Sequence, residues 1–293
     1  MWTLLQLELF KIFRRPRTYI PFAAIAAMIL IIQLGLKFDG QSYLELMMSS
    51  LSESFYIPYN MIMNGYLVAF VILNTLLIQI PLLVALVAGD IVAGEANMGT
   101  LRSLSIRPVS RTQLMLVKFA ASVIYTVLLL VWMALLALFL SMWIFGTNDM
   151  IIARNTVMEQ IKSSDVLWRY FAAFGYATVA LSTVAALAFL LSVFAENSIG
   201  PIVATISIVI VLTILSEMRI PIYDNTVKPW LFTSHMLAWK GFFYSQSDGQ
   251  GAALPGTVEN MSAILRSLAI LLGYICLFVT TAVIAFNKKD ILS

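Results

Sequence analysis

Residues 89–118 read GDIVAGEANMGTLRSLSIRPVSRTQLMLVK. The stretch is a polar, basic interruption between two long apolar runs. It holds four of the chain's eighteen basic residues, Arg102, Arg107, Arg111 and Lys118. The charges are spread through short apolar pieces rather than massed in one block. Such a segment is too polar to lie in lipid and too patterned for a plain linker, so it predicts a cytoplasmic elbow gripped by a soluble partner.

The flanking sequence sets what kind of protein the elbow belongs to. Hydrophobic residues make up 61% of the chain and charged residues 11%, where a soluble domain carries about 25% charged; mean hydropathy is +0.92. Apolar runs at 20–36, 66–88, 114–145, 170–194, 199–215 and 265–286 each approach or exceed the roughly 20 residues that cross a bilayer. Backbone groups in hydrocarbon must bond within their own segment, so the runs predict helices. Six crossings put both termini on one side. With that side cytoplasmic, ten basic residues cluster near the inner helix ends and eight are spread over three longer outer segments, which orients the chain. The expected location is the plasma (inner) membrane, multi-pass, with both termini cytoplasmic.

Residues 1–15 predict an amphipathic helix at the membrane interface. Trp2, Leu5, Leu9, Ile12 and Phe13 form one face, and Gln6, Glu8, Lys11, Arg14 and Arg15 the other. A signal peptide fits poorly, since the apolar core follows a long amphipathic lead without a small-residue cleavage site. The outer segments are 37–65, 146–169 and 216–266; the aromatic stretch 230–244 in the last predicts a short helix on the outer interface.

Chemistry-bearing motifs are scarce. There is no H-E-x-x-H, G-x-S-x-G or G-x-x-x-x-G-K-[ST] motif. Catalytic, metal and cofactor-binding residues are therefore expected to be absent, and the chain is not expected to be an enzyme. The single histidine, His235, reads as a surface or packing residue, and the single cysteine, Cys276, excludes an internal disulfide. Asp90 and Asp224 fall on opposite sides of the membrane in this topology and cannot share a proton. The spans carry essentially no charge in their middles; Gln33, Asn74 and Gln79 are the main polar residues at depth, and such residues more often bond between helices than bind substrate. An ion-coupled carrier needs a titratable group at depth, so the energy source is expected on another chain. A net charge of +3 gives no reason to expect nucleic acid.

Within the elbow, Gly94 and Gly99 bracket Glu95, and Leu101 to Ile106 predicts a short helix that Pro108 ends. Ser110 and Gln113 form an S-x-x-Q capping box for the next span. Glu95, then Gly99-Thr100-Leu101, then Arg107-Pro108-Val109-Ser110-Arg111 and Lys118 resembles the signature of type-2 ATP-binding-cassette (ABC) permeases. The six-span layout, the N-terminal interfacial helix and the short turn after span four are similar to that family too.

The resemblance implies one transmembrane permease domain over residues 1–293. The fold would be all-α, with six transmembrane helices, an interfacial helix and a cytoplasmic coupling helix within 89–113. It implies an exporter-type subunit that pairs with a second permease copy or a paralogue and docks two copies of a cytosolic ABC ATPase, where ATP would bind. The alternative is a non-transport membrane module for assembly, maturation or sensing, driven by the same kind of ATPase. Carried over residue by residue, the ATPase-coupling positions are Glu95, Gly99, Thr100, Leu101, Arg102, Leu104, Arg107, Pro108 and Arg111.

Overall fold

The computed structural model describes residues 1–48, 63–99, 110–154, 157–218, 226–246 and 254–289. Helix α1 is Trp2–Phe13, and a 3-10 turn, Pro16–Tyr19, leads into α2, Ile20–Met48. Then come α3 (Gly65–Ala88), α4 (Asp90–Asn97), α5 (Arg111–Ala134) and α6 (Ser141–Phe145). A hairpin of β1 (Met150–Arg154) and β2 (Val157–Ile161) precedes α7 (Ser163–Phe194) and α8 (Ile199–Glu217). A 3-10 turn, Lys228–Trp230, then α9 (Phe232–Met236), a 3-10 stretch, Leu237–Phe243, and α10 (Met261–Lys288) follow.

Six helical stretches are long and apolar enough to cross a membrane: Pro16–Gly40, Gly65–Asn97, Arg111–Phe145, Ser163–Phe194, Ile199–Glu217 and Met261–Lys288. Each contains one of the six apolar runs read from the sequence. The protein is a mainly helical multi-pass membrane protein. The hairpin qualifies the all-α expectation: Met150 pairs with Ile161 and Arg154 with Val157 in an antiparallel register, and Met150, Ile152 and Ile161 turn into the core, as the period of two requires.

Helix α7 is the axis of the bundle and packs against α3, α4, α5, α8 and α10. Of the most apolar window of each span, 72% is buried for α7 and 67% for α3, against 28% for α2, 22% for α8 and 17% for α10. The inner pair is therefore held by protein. The outer three present apolar side chains such as Ile31, Val211 and Leu277 outward, where only lipid or another apolar surface can cover them.

Two spans depart from regular α-helix. The third span changes from α to π winding at Leu135–Leu140 before α6, and the Gln33 amide on α2 donates to Leu136 O at 3.0 Å and to Ser141 Oγ at 2.8 Å. Gln33 thus bonds between helices, as its type predicted. In α2, Asp39 leaves helical geometry (φ −135°, ψ 32°).

At the end of the bundle that holds the hairpin, residues 239–243 of the aromatic stretch 230–244 pack into the core, while Trp230 stays exposed. Trp239 and Phe243 are fully buried, with ring centroids 5.6 and 5.1 Å from Phe70, and Phe243 is 4.8 Å from Tyr170. Arg169, expected in an outer loop, is sealed inside this cap. Its guanidinium meets Asp165 at 2.7 Å and donates to the Phe242 and Thr257 carbonyls at 2.6 and 2.9 Å.

Candidate functional site

At the opposite end, which we call the base, the chain concentrates charge. The second span does not stop where hydropathy falls. It passes Gly89 and continues as α4, whose C-terminus is closed by Gly99 at φ 67°, a left-handed conformation that glycine adopts without a Cβ penalty. Ser110 begins the next span as predicted, its hydroxyl accepting from the Gln113 N–H at 3.2 Å. Both edges of the elbow are thus fixed. Thr100, Leu101, Arg102, Leu104, Arg107 and Pro108, together with the expected short helix 101–106, lie outside the described residues.

Glu95 does not face outward. It belongs to a closed ring of four alternating charges drawn from three helices. Glu8 Oε1 meets Lys11 Nζ at 2.7 Å, Lys11 Nζ meets Glu95 Oε1 at 2.9 Å, Glu95 Oε2 meets Lys118 Nζ at 2.8 Å, and Lys118 Nζ meets Glu8 Oε2 at 2.9 Å. The Lys118 side chain is 1% exposed, so its ammonium depends on these carboxylates and on the Ile91 carbonyl at 3.5 Å. A charge buried this deeply is tolerable only when paired and hydrogen-bonded, and the ring is neutral in sum. Burial works to raise the Glu8 carboxyl, but the charge of Lys118 and hydrogen bonds from Lys11 and Lys118 outweigh it and hold Glu8 below the ordinary carboxylate value. Burial likewise works to lower the Lys11 ammonium, and its hydrogen bonds to Glu8 and Glu95 outweigh that and raise it.

The inward turn of Glu8 corrects the reading of α1. Leu5, Leu9, Ile12 and Phe13, read as the face toward the membrane interface, pack on the protein core, and Glu8, assigned to the polar face, is buried beside Ile12. Trp2, assigned to the apolar face, is 71% exposed, with Leu7 and Phe10 also outward.

A second cluster lies one turn away. Asp90 accepts from both Arg15 and Arg17 and from the Ser198 hydroxyl, joining the α1–α2 turn, the start of α4 and the turn before α8. Gly94 makes room for this carboxylate: a Cβ there would lie 2.5 Å from Asp90 Oδ1. On the other side of α4, Ser192 near the end of α7 accepts from the Val92 and Ala93 N–H groups at 3.2 and 2.8 Å. Arg111, at the far edge of the elbow, donates to the carbonyls of Asn287 and Lys289 at 3.3 and 3.1 Å, and Lys289 donates to Val193 O at 2.9 Å. The base is therefore one connected polar layer tying α1, α4, α5, α7, α8 and the end of α10.

The cavity between the two clusters, lined by Glu8, Lys11, Arg15, Arg17, Asp90 and Glu95 among others, holds about 30 Å³. That volume suits one or two waters and is far below the several hundred Å³ of a small-molecule site. Among the described residues no group of three histidine, cysteine or acidic side chains could hold a metal ion. The arrangement ties α1, α4 and α5 together at this end of the bundle.

Of the positions carried over by resemblance, Glu95, Gly99 and Arg111 are described, and all three serve to anchor the elbow. Sequence reasoning missed Glu8, Lys11, Asp90, Arg15, Arg17, Ser192 and Ser198 as members of this layer. One signal was present: Lys118 stands within an apolar run, where an ammonium needs a carboxylate partner.

The family described as "Protein of unknown function (DUF2705)" matches residues 24–292. The chain is also similar to the uncharacterized protein YhcI of Bacillus subtilis (strain 168), 31% identical over 120 residues. That stretch covers 39% of this chain and 37% of the relative's length.

Proposed function

The chain belongs to the DUF2705 family, and we propose that this member is the transmembrane permease subunit of an ABC-type exporter whose ATPase is a separate cytosolic chain. The observation that carries the reading is the charged ring. Segment 100–109 connects two anchored edges, Glu95–Gly99 and Ser110–Arg111. The first edge is bound through Glu95 to both α1 and α5. A force applied to that segment by a docked ATPase is thus delivered to three helices at once, which is what a coupling element requires. The resemblance over Glu95 to Lys118 supports the same assignment.

In this reading the base faces the cytoplasm of the plasma membrane, α1 lies at the interface with Trp2 and Phe10 toward lipid, and ATP is bound by the partner. Two permease copies, or one with a paralogue, would stand over two ATPase copies. The weakly buried faces of α2 and α8 are apolar enough to meet a second copy. Affinity purification of the tagged chain from its own host membrane, in mild detergent, tests the proposal. A stoichiometric ABC ATPase is expected in the eluate, with ATP turnover; a chain that never recruits one contradicts it. Reconstituted vesicles with ATP then distinguish an exporter from a non-transport module driven by the same ATPase.

A further inference from the structure

Helix α10 carries a feature the permease reading does not use. It is the least buried span, and near the cap end its outer face forms an open groove of about 830 Å³, lined by Pro229, Trp230, Arg266, Ile270, Gly273 and Leu277 among others. An adjoining hollow of about 560 Å³ shares Pro229, Arg266 and Ile270 and adds Lys228, Ser262 and Ser267. The wall is built, not incidental. Tyr274 OH on α10 donates to Trp230 O, and His235 bridges Ser267 Oγ at 3.1 Å and Pro229 O at 3.0 Å, so the Lys228–Trp230 turn is stapled to the helix as an overhang.

The chemistry of the groove is divided along its length. Arg266 is exposed at its mouth and makes no ion pair or hydrogen bond among the described residues. Among the described residues no acidic side chain lines either hollow. Trp230, 76% exposed, stands beside Arg266, a pairing typical of the boundary between headgroups and hydrocarbon. From Arg266 the track descends through Ile270 and Gly273 to Leu277, about 16 Å along a helix at 1.5 Å per residue. A Cβ placed on Gly273 would meet no atom within 4 Å. The glycine therefore serves no close packing within this chain and leaves a notch in the helix surface.

We propose that this groove binds a phospholipid with an anionic headgroup. Its phosphate sits on Arg266 beneath the Trp230 turn, and one acyl chain runs along Ile270, Gly273 and Leu277. The charge at the mouth and the apolar track below it match the two ends of that molecule, and the site is independent of any ATPase.

The test uses the full chain in nanodiscs containing brominated-acyl phosphatidylglycerol or brominated-acyl phosphatidylcholine, with quenching of Trp230 read as the difference between wild type and Trp230→Phe. Half-quenching is expected at about 5-fold lower mole fraction of the anionic lipid, the preference that about 1 kcal/mol for one basic side chain at the surface provides. Arg266→Gln should bring the ratio of the two lipids close to one. Lys288→Gln, which removes a charge at the other end of α10, should leave it unchanged. Gly273→Leu should reduce quenching by both lipids, and because its side chain enters open space it tests the site even if Arg266→Gln fails to fold. Equal quenching by both lipids in the wild type, or an unchanged ratio in Arg266→Gln, would overturn the proposal. Displacement of the lipid by millimolar glycerol phosphate would reassign the site to a water-borne phosphate, and an Arg266-dependent dimer that shields Trp230 would reassign it to a second copy.

Discussion

Lys118 and Arg169 are both cations sealed inside the bundle, one at each end, and the chain satisfies them differently. Arg169 takes its carboxylate from Asp165 one turn earlier on the same helix, and two backbone carbonyls complete its fork. The pairing is local, and the result is a packed cap in which aromatic rings do most of the holding. Lys118 takes its carboxylates from two other helices, including Glu8, 110 residues away in the chain. Each charge in that ring has two neighbours of opposite sign. One end is therefore closed by a helix and the loops resting on it. The other end is tied across helices that must move together if the elbow is pushed.

Removing each cation separates the two designs. Lys118→Met should cost about 3–5 kcal/mol, because two buried carboxylates then face each other with only Lys11 between them; the fall is read as a lower thermal midpoint in detergent. Much of the loss should return in Lys118→Met/Glu8→Gln, since each ring member is costly mainly when its neighbours stay charged. Arg169→Met should cost less, about 2–3 kcal/mol, because the carbonyls of Phe242 and Thr257 lose a donor while Asp165 keeps its bond from the Trp168 indole. The cap variant should leave ATPase recruitment intact and the base variant should impair it. If both impaired recruitment equally, the two ends would not be mechanically distinct.

Acid should act more gently on the same ring. Glu8 is held below its ordinary value of 4.5, so the stability it contributes is complete above that value and is lost as pH falls through the depressed folded-state value. Lys11, raised above 10.5, contributes fully below that value and loses its share as pH climbs past it. The thermal midpoint should therefore be flat between these limits and decline below pH 4.5. In Glu8→Gln the acid decline should be shallower; an identical decline would place the acid-sensitive group elsewhere.

The spans were legible because hydropathy reports them directly: each apolar run lies inside one long helix. Their ends were not. Hydropathy falls at Gly89, but helix geometry persists to Asn97, because a fall in hydropathy marks departure from an apolar environment rather than the end of hydrogen bonding. The break came instead at Gly99, whose backbone conformation and not its polarity ends α4. The hairpin is only weakly legible: MIIAR and VMEQI flank a polar Asn155-Thr156 pair, but each run is short and neither alternates cleanly. The charged ring was the hardest to foresee. Glu8 looks solvated on a helical wheel, and nothing local connects it to Lys118.

The central claim is that segment 100–109, braced by the ring, is where an ATPase takes hold. The most direct measurement is the affinity of the purified chain for its ATPase partner, comparing wild type with the doubly reversed Arg102→Glu/Arg107→Glu protein in matched nanodiscs. The account predicts a loss of at least 10-fold, about 1.4 kcal/mol, with thermal stability unchanged. An unchanged affinity would contradict it and move the contact off this segment.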